Sequence, residues 1–188
     1  LFVPAEYDGL GLSLADSVRL EEAISYVDGS TGWVVTLCAG AGWLSGYIDS
    51  ELTRTLCNTP HMCIAGSGAA GKAIIREDGF EVSGLWKYAS GSLHATALTV
   101  NCVLCSSDGQ PVRDGESRDQ IASFVLLPEE VSLKQTWNAM GMRATGSHSF
   151  ETTDLRVPAN RRFCIDENRP VRGELLYRYP FLQFAEVT

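Results

Sequence analysis

The chain has 188 residues, 45% of them apolar and 20% charged, which is enough to bury a core and too few charges for a disordered chain. Its formal net charge is -8 and it contains no basic run, which argues against a nucleic-acid face built on clustered Lys and Arg. The longest uncharged apolar stretch, residues 32–48, carries Gly, Thr, Ser and Cys and is too short for a membrane span.

Three helices open the chain. Ser13 precedes "LADSVRLEEAISYVD", whose apolar residues Leu14, Val18, Leu20, Ala23, Ile24 and Val27 predict an amphipathic helix with Ser13 as N-cap and Asp16 at its third position. Gly29 is the expected stop. "STGWVVTLCAGAGWLSGYI" is apolar nearly all round and predicts a buried helix over 30–48, with Gly and Ala permitting close approach of another backbone. "SELTRTLCNTP" predicts a short helix capped by Ser50 and ended before Pro60.

After Pro60 the pattern becomes β-rich. A hairpin is expected at Asp78-Gly79, and strands at "ATALTVNCVLCSS", "QIASFVLLP", "VSLKQTWNAMG" and "SHSFETTDLRVP", with the facing of the last undecided by its alternation. "DGQPVRDGESRD" reads as a polar loop. Strands at short intervals predict a closed or nearly closed antiparallel β-domain. "RGELLYRYPFLQFAEV" predicts the opening of another helix. The fold class expected is therefore α+β: helices, an antiparallel β-barrel, then helix again.

"LFVP" is too short and too soon followed by acids to be a signal peptide, so the six cysteines read as reduced thiols of a cytoplasmic protein. Cys102 and Cys105 form a CxxC inside what reads as a buried strand. His61, His94 and His148 are too dispersed to complete a metal site, and no metal is expected. The lack of an initiator Met and the ending "FLQFAEVT" suggest a piece of something longer.

Three stretches carry a family likeness. "VPAEYDGLGLSLADSVRLEEAISYVDGSTGW" resembles the acyl-CoA dehydrogenase superfamily segment with a Tyr-Gly-Gly-Leu-Gly-like turn, Asp8 standing where its first Gly would be. "GFEVSGLWKYASG" resembles the strand reading Gly-Tyr-x-Leu-x-Gly-x-Lys-x-Trp-Ile-Thr-Asn-Gly. "QTWNAMGMRATGSHSFETTDLRVPANRRF" resembles the strand pair ending in Val-Pro. The resemblance implies the end of an N-terminal helical domain (1–60), a β-barrel middle domain (61–168) and the start of a C-terminal helical bundle (169–188). Flavin would lie between barrel and bundle. Residues 64–73, "IAGSGAAGKA", lack the Thr-Glu-Pro-x-x-Gly-Ser-Asp of the dehydrogenases. "DGSTGW", "WKYASG" and "TWNAMGMRATGSH" look more like the flavin-dependent monooxygenase branch. Those enzymes take reduced flavin (FMN or FAD) from a partner reductase and oxygenate a small aromatic or sulfur-containing substrate. Tetramers are usual in the family. The rivals are an acyl-CoA dehydrogenase holding FAD tightly and a scaffold that kept the fold and lost the flavin.

Mapped residue by residue, Tyr88 takes the family's Trp position and Ser90 its Thr position. The resemblance implies that Tyr88 packs on the isoalloxazine and that Ser90 stands at its central ring nitrogen, where excluding water protects the oxygen chemistry. The competing reading is that Ser90-Gly91 only ends a strand. Ile64, Ala65, Gly66 and Ser67 match the stretch whose backbone meets the flavin pyrimidine edge; the alternative is a Gly-rich connector. His94 is a candidate acid or base, more simply a residue after a turn. Trp86 and Trp137 read as core rings, and Arg143 as a surface ion-pair former or a phosphate ligand. The family's decisive acid or base lies in the bundle beyond this stretch, so the chain is expected to supply one wall of the flavin cleft and to bind flavin poorly alone.

Overall fold

A computed structural model of the chain describes residues 1–166 and 168–187; the side chains of Ala69, Ala70, Leu182, Glu186 and Val187 are outside the description. Helices α1 (Leu14–Val27), α2 (Gly29–Gly42) and α3 (Ser50–Cys57) precede strands β1 (Ile64–Arg76), β2 (Gly79–Ala89), β3 (Ala97–Cys105), β4 (Ile121–Leu126), β5 (Ser132–Lys134), β6 (His148–Pro158) and β7 (Arg162–Phe163). A final helix, α4, spans Phe181–Val187.

The helix starts are set by side-chain acceptors. Ser13 Oγ accepts from the Asp16 amide, as its position predicts. Asp28, the residue before Gly29, accepts from Thr31 N at 2.7 Å and starts α2, so Gly29 opens a helix instead of ending one. Asp49, one residue ahead of Ser50, takes the cap of α3 by accepting from Glu51 N and Leu52 N. The second helix stops at Gly42 and passes into a 3-10 turn over Trp43–Gly46.

That helix is also less buried than its composition predicts. Gly32 and Gly42 are its buried residues, while Trp33 is 47% and Leu37 40% exposed. Gly32 does admit a close neighbour: a Cβ there would lie 2.0 Å from Ser25 Oγ on α1. Helix α1 turns Ser17 and Glu21 inward and leaves Leu20, Tyr26 and Val27 exposed.

The strands form one seven-stranded sheet in the order β5-β6-β2-β1-β3-β4-β7. Two expectations are corrected here. The sheet is mixed, because β1 and β3 pair in parallel while the other pairs are antiparallel. It is also open: the end strands β5 and β7 have three and two residues and share no pairing among the described residues. The parallel pair arises because the chain leaves β2, crosses through Ser90–Thr96 and re-enters on the far side of β1. The sheet is nonetheless rolled. Phe80 on β2 and Phe124 on β4 are three strands apart, roughly 14 Å in a flat sheet, yet their rings are 4.9 Å apart centroid to centroid.

Trp86, fully buried, fills the roll. It stacks on Phe150 at 5.4 Å and donates from Nε1 to the Asn101 carbonyl at 3.2 Å. Gly71 and Gly84 make room for it: a Cβ would come within 2.5 Å and 2.7 Å of the indole. A second core gathers Phe2, Tyr47, Ile48, Ile64, Tyr177 and Phe184 around Trp43, which stacks on Phe184 at 4.9 Å and donates to the Leu176 carbonyl.

Other departures have local causes. By pairing, Arg76 faces Gly79, so the hairpin loop is Glu77-Asp78 and Gly79 is the first residue of β2. Of "VSLKQTWNAMG" only Ser132–Lys134 form a strand, because Trp137 N is taken by His148 Nδ1 and Met142 and Gly146 adopt left-handed backbone. In β6 an extra residue near Asp154 (φ 49°) breaks the register between Val82 and Gly84, so Phe150 and Val157 both face inward despite odd spacing. This explains why the alternation left the facing undecided. The last helix begins after Pro180, preceded by a 3-10 turn over Leu175–Arg178, because the residue before a proline is biased away from helix. Among the described residues no helix is long and apolar enough to cross a membrane.

Two consequences can be measured. Gly71→Ala should destabilise the protein by about 1–3 kcal/mol through overpacking against Trp86; an unchanged urea midpoint would show that the indole yields. Glu21, 3% exposed and with neither carboxylate oxygen hydrogen-bonded among the described residues, has its pKa pushed up to about 7 by burial. The folded state then keeps a proton that the unfolded chain releases near 4.5. The stability contributed is full below that pH and is lost as pH rises to about 7. Urea unfolding at pH 5 and pH 7 should show wild type losing up to about 1.4 kcal/mol per pH unit, and Glu21→Gln losing less.

Candidate functional site

A cavity of about 430 Å³ lies between α2 and the sheet. Trp33, Thr36, Leu37, Gly40 and Ala41 form its helical wall, and Ile64, Gly66, Ser67 and Gly68 of β1 form the facing one. Thr99, Asn101 and Ser123 add polar groups from β3 and β4, and Phe163, Ile165, Phe181 and Phe184 close the apolar end. The size lies in the usual range for small-molecule pockets, roughly 300–1,000 Å³.

Each wall carries a glycine that leaves space open. A Cβ on Gly40 or Gly68, one from each wall, would meet no atom within 4 Å, so both leave open cavity. Strand β1 bulges here: Ser67 pairs with Val100 and Ala70 with Asn101, leaving two residues between them unmatched. Gly66 has a different reason, since its Cβ would strike Thr99 Oγ1 at 2.3 Å.

Ser90 is 5% exposed and lines the cavity. Its Oγ accepts from Trp33 Nε1 at 3.0 Å and lies 2.8 Å from Ser147 Oγ, which lies 2.6 Å from Thr145 Oγ1. Thr145 Oγ1 donates to the Met142 carbonyl at 2.9 Å. Each hydroxyl has one proton, so the direction of the whole chain follows. Thr145 spends its proton on the carbonyl, Ser147 must donate to Thr145, and Ser90 must donate to Ser147. Ser90 therefore has no proton left for a ligand and acts as an acceptor, one of its lone pairs already taken by Trp33 Nε1.

Of the other residues singled out from sequence, Ile64, Gly66 and Ser67 line the cavity, and Ser67 Oγ donates to the Lys87 carbonyl at 2.7 Å. Ala65 is buried behind them and is not among the lining residues. Tyr88 lies elsewhere. It is 71% exposed with φ 62°, its ring edge-on to Trp137 at 6.3 Å, and it is not a lining residue. The cause is a register slip between Trp86 and Ala89 against Phe150 and His148, which gives β2 one extra residue and ejects Tyr88.

His94 is exposed after a turn, and Arg143 is exposed. His148 holds Trp137 N; Trp137 is only half-buried, its Nε1 donating to the Met142 carbonyl, whereas Trp86 is core. Cys102 and Cys105 are buried in β3, and burial pushes the Cys102 thiol up to about 12. Among the described residues no group of three or more His, Cys, Asp or Glu is placed to hold a metal.

Sequence reasoning missed Trp33 and Asn101. Asn101 had a signal, an amide in the middle of the apolar strand "ALTVNCVLC"; it accepts from Ser123 Oγ at 2.8 Å. Trp33 had one too, as the last residue of the singled-out stretch "DGSTGW", but the stretch gave the ring no role. Ser90→Ala removes the acceptor of the Trp33 indole and the donor to buried Ser147. It should cost about 1–2 kcal/mol and make Trp33 fluorescence more accessible to acrylamide, with Trp33→Phe identifying that signal. Unchanged stability and quenching would dissociate Ser90 from the helical wall.

No family model matches the chain. It is 31% identical over 184 residues to an indole-3-acetate monooxygenase of Pseudomonas putida, covering 97% of this chain and 45% of that protein. It is 28% identical over 163 residues to the flavin-dependent monooxygenase oxygenase subunit HsaA of Mycobacterium tuberculosis, covering 86% and 39%. The structure of XiaF from Streptomyces sp. in complex with FADH2 and glycerol superposes with a TM-score of 0.85 at 25% identity, over 98% of this chain and 47% of that one. The chain spans a little under half the length of the curated relatives it matches. It is thus similar in sequence to part of a monooxygenase over nearly its whole length and to part of a flavin-dependent one over 86% of it, and it shares the fold of the HsaA monooxygenase.

Proposed function

We propose that the chain contributes both the sheet and the α2 helix to a flavin and substrate cleft in a flavin-dependent monooxygenase, an oxygenase component that hydroxylates a small aromatic or otherwise apolar molecule with reduced flavin and O2. The flavin would come from a separate reductase, and the whole protein would be a homo-oligomer of the acyl-CoA dehydrogenase-like type, with domain limits near residues 60 and 168. The cavity carries this reading: a polar sheet floor faces an apolar wall and aromatic end across two glycines that leave open space. The relatives' names favour oxygenation over acyl-CoA dehydrogenation or a scaffold role.

The residues present fit a flat, partly polar ring system. Gly66, Ser67 and Gly68 would hold its polar edge, with Ile64 beneath, and Trp33 and Leu37 would cover it from the helix. Bound reduced flavin supplies the electrons that activate O2. The task of the chain's own residues is to orient and to exclude water. Ser90 meets the cavity as an acceptor because its proton is committed to Ser147. Reduced flavin carries an N–H at its central ring where oxidised flavin carries a bare nitrogen, so this polarity favours the reduced form. Tyr88, displaced by the bulge, lies outside this cavity, and the proposal gives it no contact there. Ala65 would contribute through the backbone of β1 alone.

Anaerobic titration with FMN and FAD, each oxidised and reduced, tests the proposal. Reduced flavin should bind at least about tenfold more tightly, a difference of about 1.4 kcal/mol, and Ser90→Ala should shrink that preference. Equal binding of both redox states, or purification with tightly held oxidised FAD that an acyl-CoA reduces, would overturn it.

A further inference from the structure

Cys38 on α2 and Cys63, the residue before β1, place their sulfurs 2.8 Å apart. They are 25 positions apart in sequence, one on α2 and one just ahead of β1, the elements that form the two walls of the cavity, and neither is itself a lining residue. We propose that Cys38 and Cys63 are a redox pair that hydrogen peroxide closes into a disulfide, tying the helical wall to the sheet directly behind Ser90-Gly91. The inference does not depend on the flavin reading.

The pair is held in place by its surroundings. The Cys63 amide donates to Thr96 Oγ1 at 3.0 Å, and its carbonyl accepts from Thr96 N at 2.8 Å and from Thr96 Oγ1 at 3.2 Å. Gly91, at φ 75°, packs onto both sulfurs: a Cβ there would lie 3.0 Å from Cys38 Sγ and 3.6 Å from Cys63 Sγ. The sulfurs need to close by less than about 1 Å to reach a bond of about 2.05 Å. The hydrogen bond from Cys38 lowers the Cys63 thiol, while that bond and burial raise Cys38, so Cys63 is the one disposed to ionise. Among the described residues the other four cysteines are placed differently: Cys102 and Cys105 are buried in β3, Cys57 is half-buried with its thiol raised by burial, and Cys164 is exposed.

The chemistry balances with peroxide as oxidant. The Cys63 thiolate attacks one peroxide oxygen; an S–O bond forms, the O–O bond breaks, and the leaving hydroxide takes up a proton as water. Cys38 sulfur then attacks the resulting sulfenic acid; the S–S bond forms, the S–O bond breaks, and the second water leaves with the Cys38 proton. Two thiols are oxidised and one peroxide is reduced to two waters.

The test is peroxide treatment of the folded protein, trapping of free thiols with iodoacetamide after denaturation, and non-reducing peptide mapping. Wild type should yield a Cys38–Cys63 linked peptide and lose two hydrogens in mass. Its thermal midpoint should rise by on the order of 5–10 °C, and dithiothreitol should reverse both changes. Cys38→Ala should instead leave a dimedone-reactive sulfenic acid on Cys63, and Cys63→Ala should leave Cys38 unmodified. Full alkylation of both cysteines in peroxide-treated wild type, or a disulfide that joins other cysteines, would overturn the proposal, and this wild-type readout stands even if a variant does not fold.

Discussion

The inward seat of Trp86 is the constraint on which the rest depends. A fully buried indole can sit inside the rolled sheet only because Gly71 and Gly84 lack side chains against it. Its Nε1 has to find an acceptor there, and it finds the Asn101 carbonyl. That bond ties β2 to β3 across the intervening β1, and it fixes the backbone of a residue whose side chain lines the cavity. The same inward seat, followed by an extra residue in β2, decides which of the next residues face in: Ala89 and Ser90 do, and Tyr88 does not.

The cavity is consequently a junction between a rigid sheet and a helix that rests on it through few polar contacts. Trp33 reaches Ser90 in the turn that ends β2, and Cys38 reaches Cys63 just ahead of β1, where Gly91 of that turn packs on both sulfurs. The hydroxyl chain from Ser90 to Met142 carries the polarity of that turn into the loop before β6. A ligand would meet a surface whose donors and acceptors are already assigned by the protein, which lowers the cost of ordering it on binding. The exposed Trp33 and Leu37 on the helix and the open glycines Gly40 and Gly68 leave apolar surface and free space on the two walls of the cavity.

Much of the secondary structure was legible, for reasons that are local. Ser13 as cap, the end of α3 before Pro60, and the buried strand holding Cys102 and Cys105 rest on propensities and patterns spanning a few residues. The errors are of another kind. Asp28 stands two residues ahead of the expected helix start at Ser30, and Asp49 one residue ahead of the expected cap Ser50; each takes the cap because an acid there reaches the free amides. The closed antiparallel barrel failed because strand spacing carries no information on which strands pair, and the parallel pairing of β1 with β3 is a choice between distant segments.

At the site the same division holds. The sequence alone placed Ile64, Gly66, Ser67 and Ser90 in stretches that turn out to line one cavity, and it established the order of helices before sheet, because motif identity and hydrophobic period are properties of neighbouring residues. Only the tertiary structure decided that Tyr88 faces solvent, that Trp33 closes the pocket, and that Cys38 meets Cys63. Each of these turns on a one-residue slip of register or on a contact between residues far apart in the chain, and a single strand read by its alternation has no means of recording either.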